Sequence, residues 1–509
     1  MLPQSRVRLL LDIRQERRYL WVSKRHPEKG PSMTTPPPDG LIVVAKADCP
    51  TCRLIEPLLT ELADAGPLQV FVQDDSDYAS TLPGTHYDDT LEHSWRLDTE
   101  FVPTLIRMEQ GREVSRTYGW DKAEWRTISG LSGLGEALPV MRPGCGSKTL
   151  EPGIAERLEL AFGDVRLSAR EIDVSAEDDA IEACYARGWS DGLPVVPPTP
   201  VRVLRMLKGT SRDPQEVIGL MPPDLVSCTV EKVAINAVMA GCKPEYMPVL
   251  LAALEATLED DFGLHGLICT TMFGSPMIMV NGPIAKAIGM NSGNNALGQG
   301  NRANATIGRA LQLIIRNVGG GRPGEIDRAT LGNPGKYSFC FAEAEDSEWL
   351  PLAQERGIAA GRSAVTVFPG EGVQGIIDQK SRDPDSLARS IAESLRAVDN
   401  VKLAMAGDAV LVVSPEHARI FIEAGWSKQQ LRETLEQLLM APGEKLIAGA
   451  GGMAEGIPEK FKGKQIPKFR PGGLLIVRAG GTAGLFSAII AGWAASGPVG
   501  SSPVTREIT

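Results

Sequence analysis

The chain has 509 residues, 43% of them hydrophobic and 23% charged, which suits a soluble globular protein of two or three domains. A net charge of −10 disfavours nucleic acid as a main partner, because phosphate binding needs a basic face. Eight cysteines are too few for a disulfide scaffold and suit a reducing cytosol with a few working thiols, so a cytoplasmic location is expected.

Residues 1–37 read as an N-terminal extension, expected to be disordered. They are arginine-rich, with no apolar core of a secretory signal. Met33 opens "MTTPPPDGLIVVAKADCPTC", which reads as the natural start of the first domain and makes residues 1–32 an upstream extension. The late apolar stretch "GGLLIVRAGGTAGLFSAIIAGWAASG" is broken by Arg478 and glycines. It predicts a buried strand-turn-helix rather than a membrane span.

The first domain is expected over residues 38–135. "LIVVAKA" is a strand, and "CPTCRLIEPLLTELADAG" has helical spacing at Leu54, Ile55, Leu58, Leu59 and Leu62. "LQVFVQDD" is a second strand and "TLEHSWRLDTE" a helix. "VPTLIRMEQGREVSRTYGW" is a hairpin around Gln110-Gly111, and "DKAEWRTISGL" is a closing helix. The "CPTC" motif after the first strand, this element order and "FVPT" together resemble the thioredoxin fold over roughly residues 38–133. The resemblance implies that Pro103 is a cis-proline facing Cys49 and Cys52. Cys-Pro-Thr-Cys is closer to the glutaredoxin form than to Cys-Gly-Pro-Cys, so the direction of electron flow is open. At a helix N-terminus, Cys49 would be favoured as thiolate and would attack a disulfide, with Cys52 resolving. Asp48 would oppose that thiolate. Half a zinc site and a redox-inactive docking fold are the alternatives. No second CxxC or paired histidine lies nearby, so no metal is expected.

Residues 136–174, rich in Gly, Pro and Ser, read as a linker. It carries Cys145 in "PGCGSK", a thiol able to shuttle between the Cys49/Cys52 pair and a second site; a chance exposed cysteine is the alternative.

Residues 175–509 read as a larger α/β domain of one or two lobes with a mostly covered sheet, so the whole chain is α/β. Ser175 is expected to cap its first helix, "SAEDDAIEACYARG". Cys242 in "AGCKPEYMP" is expected at a helix N-terminus beside Lys243, both of which favour thiolate, with Glu245 as acid/base partner; a buried structural cysteine is the alternative. "GMNSGNNALGQGNRANATIGR" supplies Asn291, Asn294, Asn295, Arg302 and Asn304 before a helix, a ligand loop for a carboxylate or phosphate. It matches no Walker or Rossmann pattern, so no nucleotide cofactor is implied. Gly480, Gly481 and Thr482 form a turn between strand and expected helix, a geometry able to bind an anion; a tight structural turn is the alternative. His265 and His417 read as structural. "GWSDGLPVVPPT", "TVEKVAINAVMAGCKPEY", "NSGNNALGQGNRANATIGRA", "NPGKYSFCFAE" and "PVTREI" resemble a bacterial family associated with UGSC-type selenoproteins, which implies thiol or selenol redox chemistry. Here residues 145–148 are Cys-Gly-Ser-Lys instead of that motif.

The leading expectation is a thiol-dependent oxidoreductase. Cys49 and Cys52 would serve a large domain acting on a small polar or anionic substrate, with Cys242 and Cys145 as partner thiols. Fusion raises one dithiol's effective concentration for another to about millimolar. A cellular thiol reductant or small redox protein and a homo-oligomer are expected partners; a membrane and nucleic acid are not. A non-redox lyase or hydrolase built from the asparagine loop, Asp191 and Lys336 is the second expectation. A redox-responsive binding protein is the third.

Overall fold

A computed structural model describes residues 6–11, 39–175, 178–405, 407–493 and 500–509. The chain is a mixed α/β protein that divides into two compact units: residues 16–166, and residues 1–15 with 167–509. Of the expected N-terminal extension, most lies outside the described residues. Arg6–Leu11, however, is a strand, β1.

In the smaller unit, β2 (Gly40–Ala45) leads into α1 (Pro50–Ile55) and α2 (Leu58–Ala65). Next come β3 (Leu68–Val72), β4 (Thr85–Tyr87), β5 (Phe101–Val102), and the hairpin β6 (Thr104–Glu109) and β7 (Arg112–Tyr118). Helix α3 (Lys122–Ser129) follows. The five-stranded sheet runs β4-β3-β2-β6-β7; β2 is parallel to β3 and antiparallel to β6. Its central strand is apolar on both faces: Ile42, Val43, Val44 and Ala45 are all buried. Each such side chain contributes about 1.5–3 kcal/mol when fully buried, Ala45 less. Helix α3 starts at Asp121, whose carboxylate accepts from the Ala123 and Glu124 amides.

Residues 136–166, expected as part of a linker, belong to this unit. They carry β8 (Cys145–Gly146), antiparallel to β5, and α4 (Ile154–Phe162). The composition reads as a connection because glycines and prolines serve equally where backbone must lie close against backbone.

In the larger unit, β1 pairs with β9 (Arg170–Ser175). Helix α5 (Ala180–Ala186) is capped by Asp179 rather than Ser175, which ends β9. Helices α6 (Pro200–Leu207), α7 (Val230–Ala240) and α8 (Met247–Thr257) precede β10 (Ser275–Asn281), and α9 (Arg302–Asn317) precedes β11 (Cys340–Ala342). Strand β12 (Ala364–Ile377), α10 (Pro384–Arg396), β13 (Ala409–Val413), α11 (Pro415–Glu423) and α12 (Lys428–Leu438) follow. The unit ends in β14 (Leu474–Arg478), β15 (Phe486–Gly492) and β16 (Val504–Glu507).

The seven-stranded sheet runs β11-β10-β12-β15-β13-β14, with β16 also on β12. The long β12 joins its halves: residues 364–370 pair β10, and residues 370–377 pair β15. Helices α7–α9 pack on the first half and α10–α12 on the second, so one sheet runs through both expected lobes. Strand alternation splits the core: Leu411 and Val413 face the α10–α12 cluster, and Val410 and Val412 face a separate cluster with Met277, Phe341 and Phe368.

The expected strand-turn-helix at the C-terminal end is strand-turn-strand. "FSAIIAG" is β15, held between β12 and β13 by hydrogen bonds on both sides. Its paired isoleucines, Ile489 and Ile490, suit a doubly buried strand, and a short apolar run does not distinguish the two by periodicity.

Candidate functional site

Cys49 is the N-cap of α1, and Pro50 takes the first helical position. The Cys52 amide donates to the Cys49 sulfur at 3.5 Å, and the Arg53 amide to the Cys49 carbonyl at 3.1 Å. The opposite wall is β5 and the cis Val102-Pro103 peptide, with the Cys49 thiol 3.6 Å from the Val102 carbonyl oxygen. Asp48, expected to oppose a thiolate, is paired with the Lys46 ammonium at 3.2 Å.

The third wall is β8. Cys145 lies directly opposite Val102 in the β5–β8 ladder. The segment is pinned along its length. Thr51 Oγ1 donates to the Pro143 carbonyl at 2.7 Å, and the Ser147 amide to the Glu100 carbonyl at 2.9 Å. Gln73 bonds both the Ser147 hydroxyl (2.8 Å) and the Lys148 amide (3.0 Å). This firm docking replaces the flexible segment expected around Cys145.

Three thiols therefore share one site. Hydrogen bonding from Cys52, and then from Cys145 and the α1 backbone amides, holds the Cys49 thiol down to about 5 against the cost of burial. Burial pushes the Cys52 thiol far above its ordinary range. Donation to Cys49, with burial, pushes Cys145 up to about 11. Cys49 and Cys52 are both 0% exposed, whereas Cys145 is partly exposed.

Cys242 is placed differently from expectation. Its amide donates to the Ala237 carbonyl at 2.9 Å, and Gly241 is left-handed (φ 87°), so Cys242 closes the C-terminal end of α7. The carbonyl end of a helix disfavours a thiolate. Burial pushes its thiol up to about 12, and the sulfur donates to the Thr306 carbonyl at 3.3 Å. Glu245 and Lys243 are exposed. The Gly-Cys-Lys-Pro string served both the ending of one helix and the starting of the next, and the Schellman geometry took the cysteine.

The asparagine loop and the glycine turn do meet. Asn294, Asn295, Gly480 and Gly481 line a cavity of about 520 Å³. Gly481 lies against the end of the Asn294 side chain, which a β-carbon there would turn aside. Thr482 lies in the same turn but not among the lining residues. The turn joins two strands and offers no helix N-terminus. Asn291 and Asn304 brace the loop: the Asn291 amide donates to Asn304 Oδ1 at 3.0 Å, and Asn304 Nδ2 returns to the Asn291 carbonyl at 2.8 Å. Arg302 is turned to the Gly241 carbonyl (2.9 Å), and among the described residues no cationic side chain lines the cavity. Asp191 and Lys336 line a separate cavity of about 490 Å³, each with an ion-pair partner, Arg309 and Asp327.

His417 is buried with both ring nitrogens used, by the Ser487 hydroxyl (2.8 Å) and the Asp378 carbonyl (3.0 Å). His265, expected in the core, is exposed, because its short helix buries Leu264, Leu267 and Ile268 instead. Among the described residues no cluster of three or more His, Cys, Asp or Glu side chains is arranged to hold a metal, and no helix is long and apolar enough to cross a membrane.

No protein-family model matches the sequence, and no curated protein matches it significantly.

Proposed function

We propose that the smaller unit is a thiol-dependent oxidoreductase whose Cys49/Cys52 pair cycles between dithiol and disulfide. One observation carries this reading: Cys49 caps a helix N-terminus, accepts a hydrogen bond from the Cys52 amide, and faces the cis-Pro103 peptide. The sheet order, with β6 and β7 antiparallel beyond a parallel β4-β3-β2 set, supports a thioredoxin-like reading of the unit.

The chemistry balances simply. A disulfide accepts two electrons and leaves as two thiols, while Cys49 and Cys52 lose two protons and join. A cellular dithiol then restores the pair. All eight cysteines are free, which fits a reducing compartment such as the cytoplasm. Cys242 drops out as partner thiol, because a buried thiol at the carbonyl end of a helix is inert.

Turnover of a small disulfide, bis(2-hydroxyethyl) disulfide, with dithiothreitol as reductant tests the reading. The full chain accelerates it and Cys49→Ser abolishes the acceleration. Equal rates for the two proteins would sink the proposal.

A further inference from the structure

The proposed dithiol has no surface of its own. Cys49 and Cys52 are both 0% exposed, so in this arrangement a substrate disulfide cannot touch either sulfur. Cys145 is the partly exposed thiol of the site, set opposite Val102, whose carbonyl oxygen lies 3.6 Å from the Cys49 sulfur. The contact is built. The β5–β8 ladder sets Cys145 opposite Val102, and Thr51, Gln73 and Thr99 fix the backbone on either side of it, Thr99 by accepting from Thr149 Oγ1 at 2.7 Å.

We propose that Cys145 is a third redox thiol and the one that meets the substrate, so that exchange proceeds inward from Cys145 to Cys49 to Cys52. This rests on the dithiol reading above and extends it. In the first step the Cys145 sulfur attacks a substrate disulfide R–S–S–R′. A bond forms from Cys145 to the R sulfur, and R′S⁻ leaves, taking up the Cys145 proton. In the second step the Cys49 thiolate attacks the Cys145 sulfur, releasing RS⁻ and forming Cys49–Cys145. In the third, Cys52 loses its proton to RS⁻ and attacks the Cys49 sulfur, freeing Cys145 as thiolate. The substrate is reduced to two thiols and the inner pair is oxidised to a disulfide.

Exposure sets the order, and the electrostatics suit its second step. Cys49, favoured as thiolate by Cys52, Cys145 and the helix amides, is ready to accept the transfer from within. Donation to Cys49 and burial oppose the Cys145 thiolate, and the Lys46 ammonium offsets part of that opposition. The reading requires the substrate to be a disulfide, or a mixed disulfide with a small thiol, that approaches the exposed side of Cys145.

The test uses the full chain and bis(2-hydroxyethyl) disulfide, with acid quenching and peptide mapping. Cys52→Ser, challenged once with the disulfide, accumulates a Cys49–Cys145 disulfide, and Cys145→Ser lowers turnover at least tenfold. Substrate captured on Cys49 itself in Cys52→Ser, or turnover unchanged in Cys145→Ser, overturns the inward order. Retention of activity in Cys49→Ser would instead remove the dithiol reading on which it stands, so the two failures are distinguishable. Circular dichroism of each variant confirms that the fold is kept; Ser is close to Cys in volume, and a variant that has lost its fold is replaced by the Ala substitution at the same site.

Discussion

Gly144 lies against Val102 so closely that a β-carbon on it would stand 2.7 Å from the Val102 carbonyl oxygen. Gly119, left-handed at φ 68°, packs on the other side, where a β-carbon would meet the Gly144 amide nitrogen at 2.7 Å. The two glycines let backbone touch backbone, and that approach brings Cys145 to Cys49. Gly144→Ala therefore lifts the segment from β5. The expected cost is about 1–3 kcal/mol in urea unfolding, the usual range for overpacking. The more specific outcome is exposure: Cys49 alkylation by iodoacetamide at pH 7 becomes faster than in the parent, because its cover is loosened.

The alkylation of Cys49 also reports its ionisation. The thiolate is the reactive form, and Cys49 is held at about 5 by Cys52 first and then Cys145. Peptide-resolved labelling is expected to be nearly flat between about pH 6 and pH 8, and to fall about tenfold per unit below pH 5. Cys145→Ala removes one S–H donor to the thiolate, so its midpoint moves upward. A midpoint near the ordinary thiol value in the parent chain would contradict the arrangement of the three sulfurs.

In the larger unit, Lys428 is 2% exposed and bridges Glu343 (3.1 Å) and Glu355 (3.4 Å). The other Glu343 oxygen accepts from the Asn281 side chain and the Leu352 amide, both at 2.7 Å. Lys428→Met leaves Glu343 as a buried charge without its cation, which costs about 3–5 kcal/mol. Lys428→Met with Glu343→Gln recovers much of that, because neither charge then remains. Urea unfolding of the two variants checks the ordering; equal losses would mean that the pair is not coupled.

Much of this architecture was legible along the chain. Apolar runs flanked by Ser, Thr or Asp caps marked most helices, as at Asp383, Ser414 and Ser427, each of which accepts a hydrogen bond from the third residue beyond it. The β-branched runs around Val43, Ile278 and Leu411 marked central strands. What local pattern could not show was partnership. Cys145 read as a loose thiol because its neighbours are glycine and proline; the strand partner that fixes it lies at Phe101–Val102, far away in sequence. The Gly-Cys-Gly spacing was the available signal, since paired small residues permit close backbone approach. Gly241-Cys242-Lys243-Pro244 fits either end of a helix, and only the Cys242–Ala237 hydrogen bond decides between them. "FSAIIAG" suits helix and strand alike as an apolar run of that length, and its place between β12 and β13 is a tertiary fact.

Glu371 on β12 gives a stability test with a definite sign. It is 7% exposed, and among the described residues its Oε1 has no hydrogen-bond partner. Burial, with a smaller contribution from the nearby Asp399 carboxylate, pushes it up to about 7. A carboxyl group whose folded pKa is raised binds its proton more tightly when folded. Its favourable contribution is therefore complete below the unfolded value of 4.5 and is lost as pH rises through about 7. Above that range the charge is buried at a cost on the order of 3 kcal/mol. Glu371→Gln keeps the shape and removes the ionisation. The variant is expected to match the parent near pH 4.5 and to exceed its stability at pH 8, with the difference growing between those limits. Parallel urea titrations at four pH values measure that difference directly. A constant offset across the range would show that Glu371 stays protonated or is solvated in the folded chain.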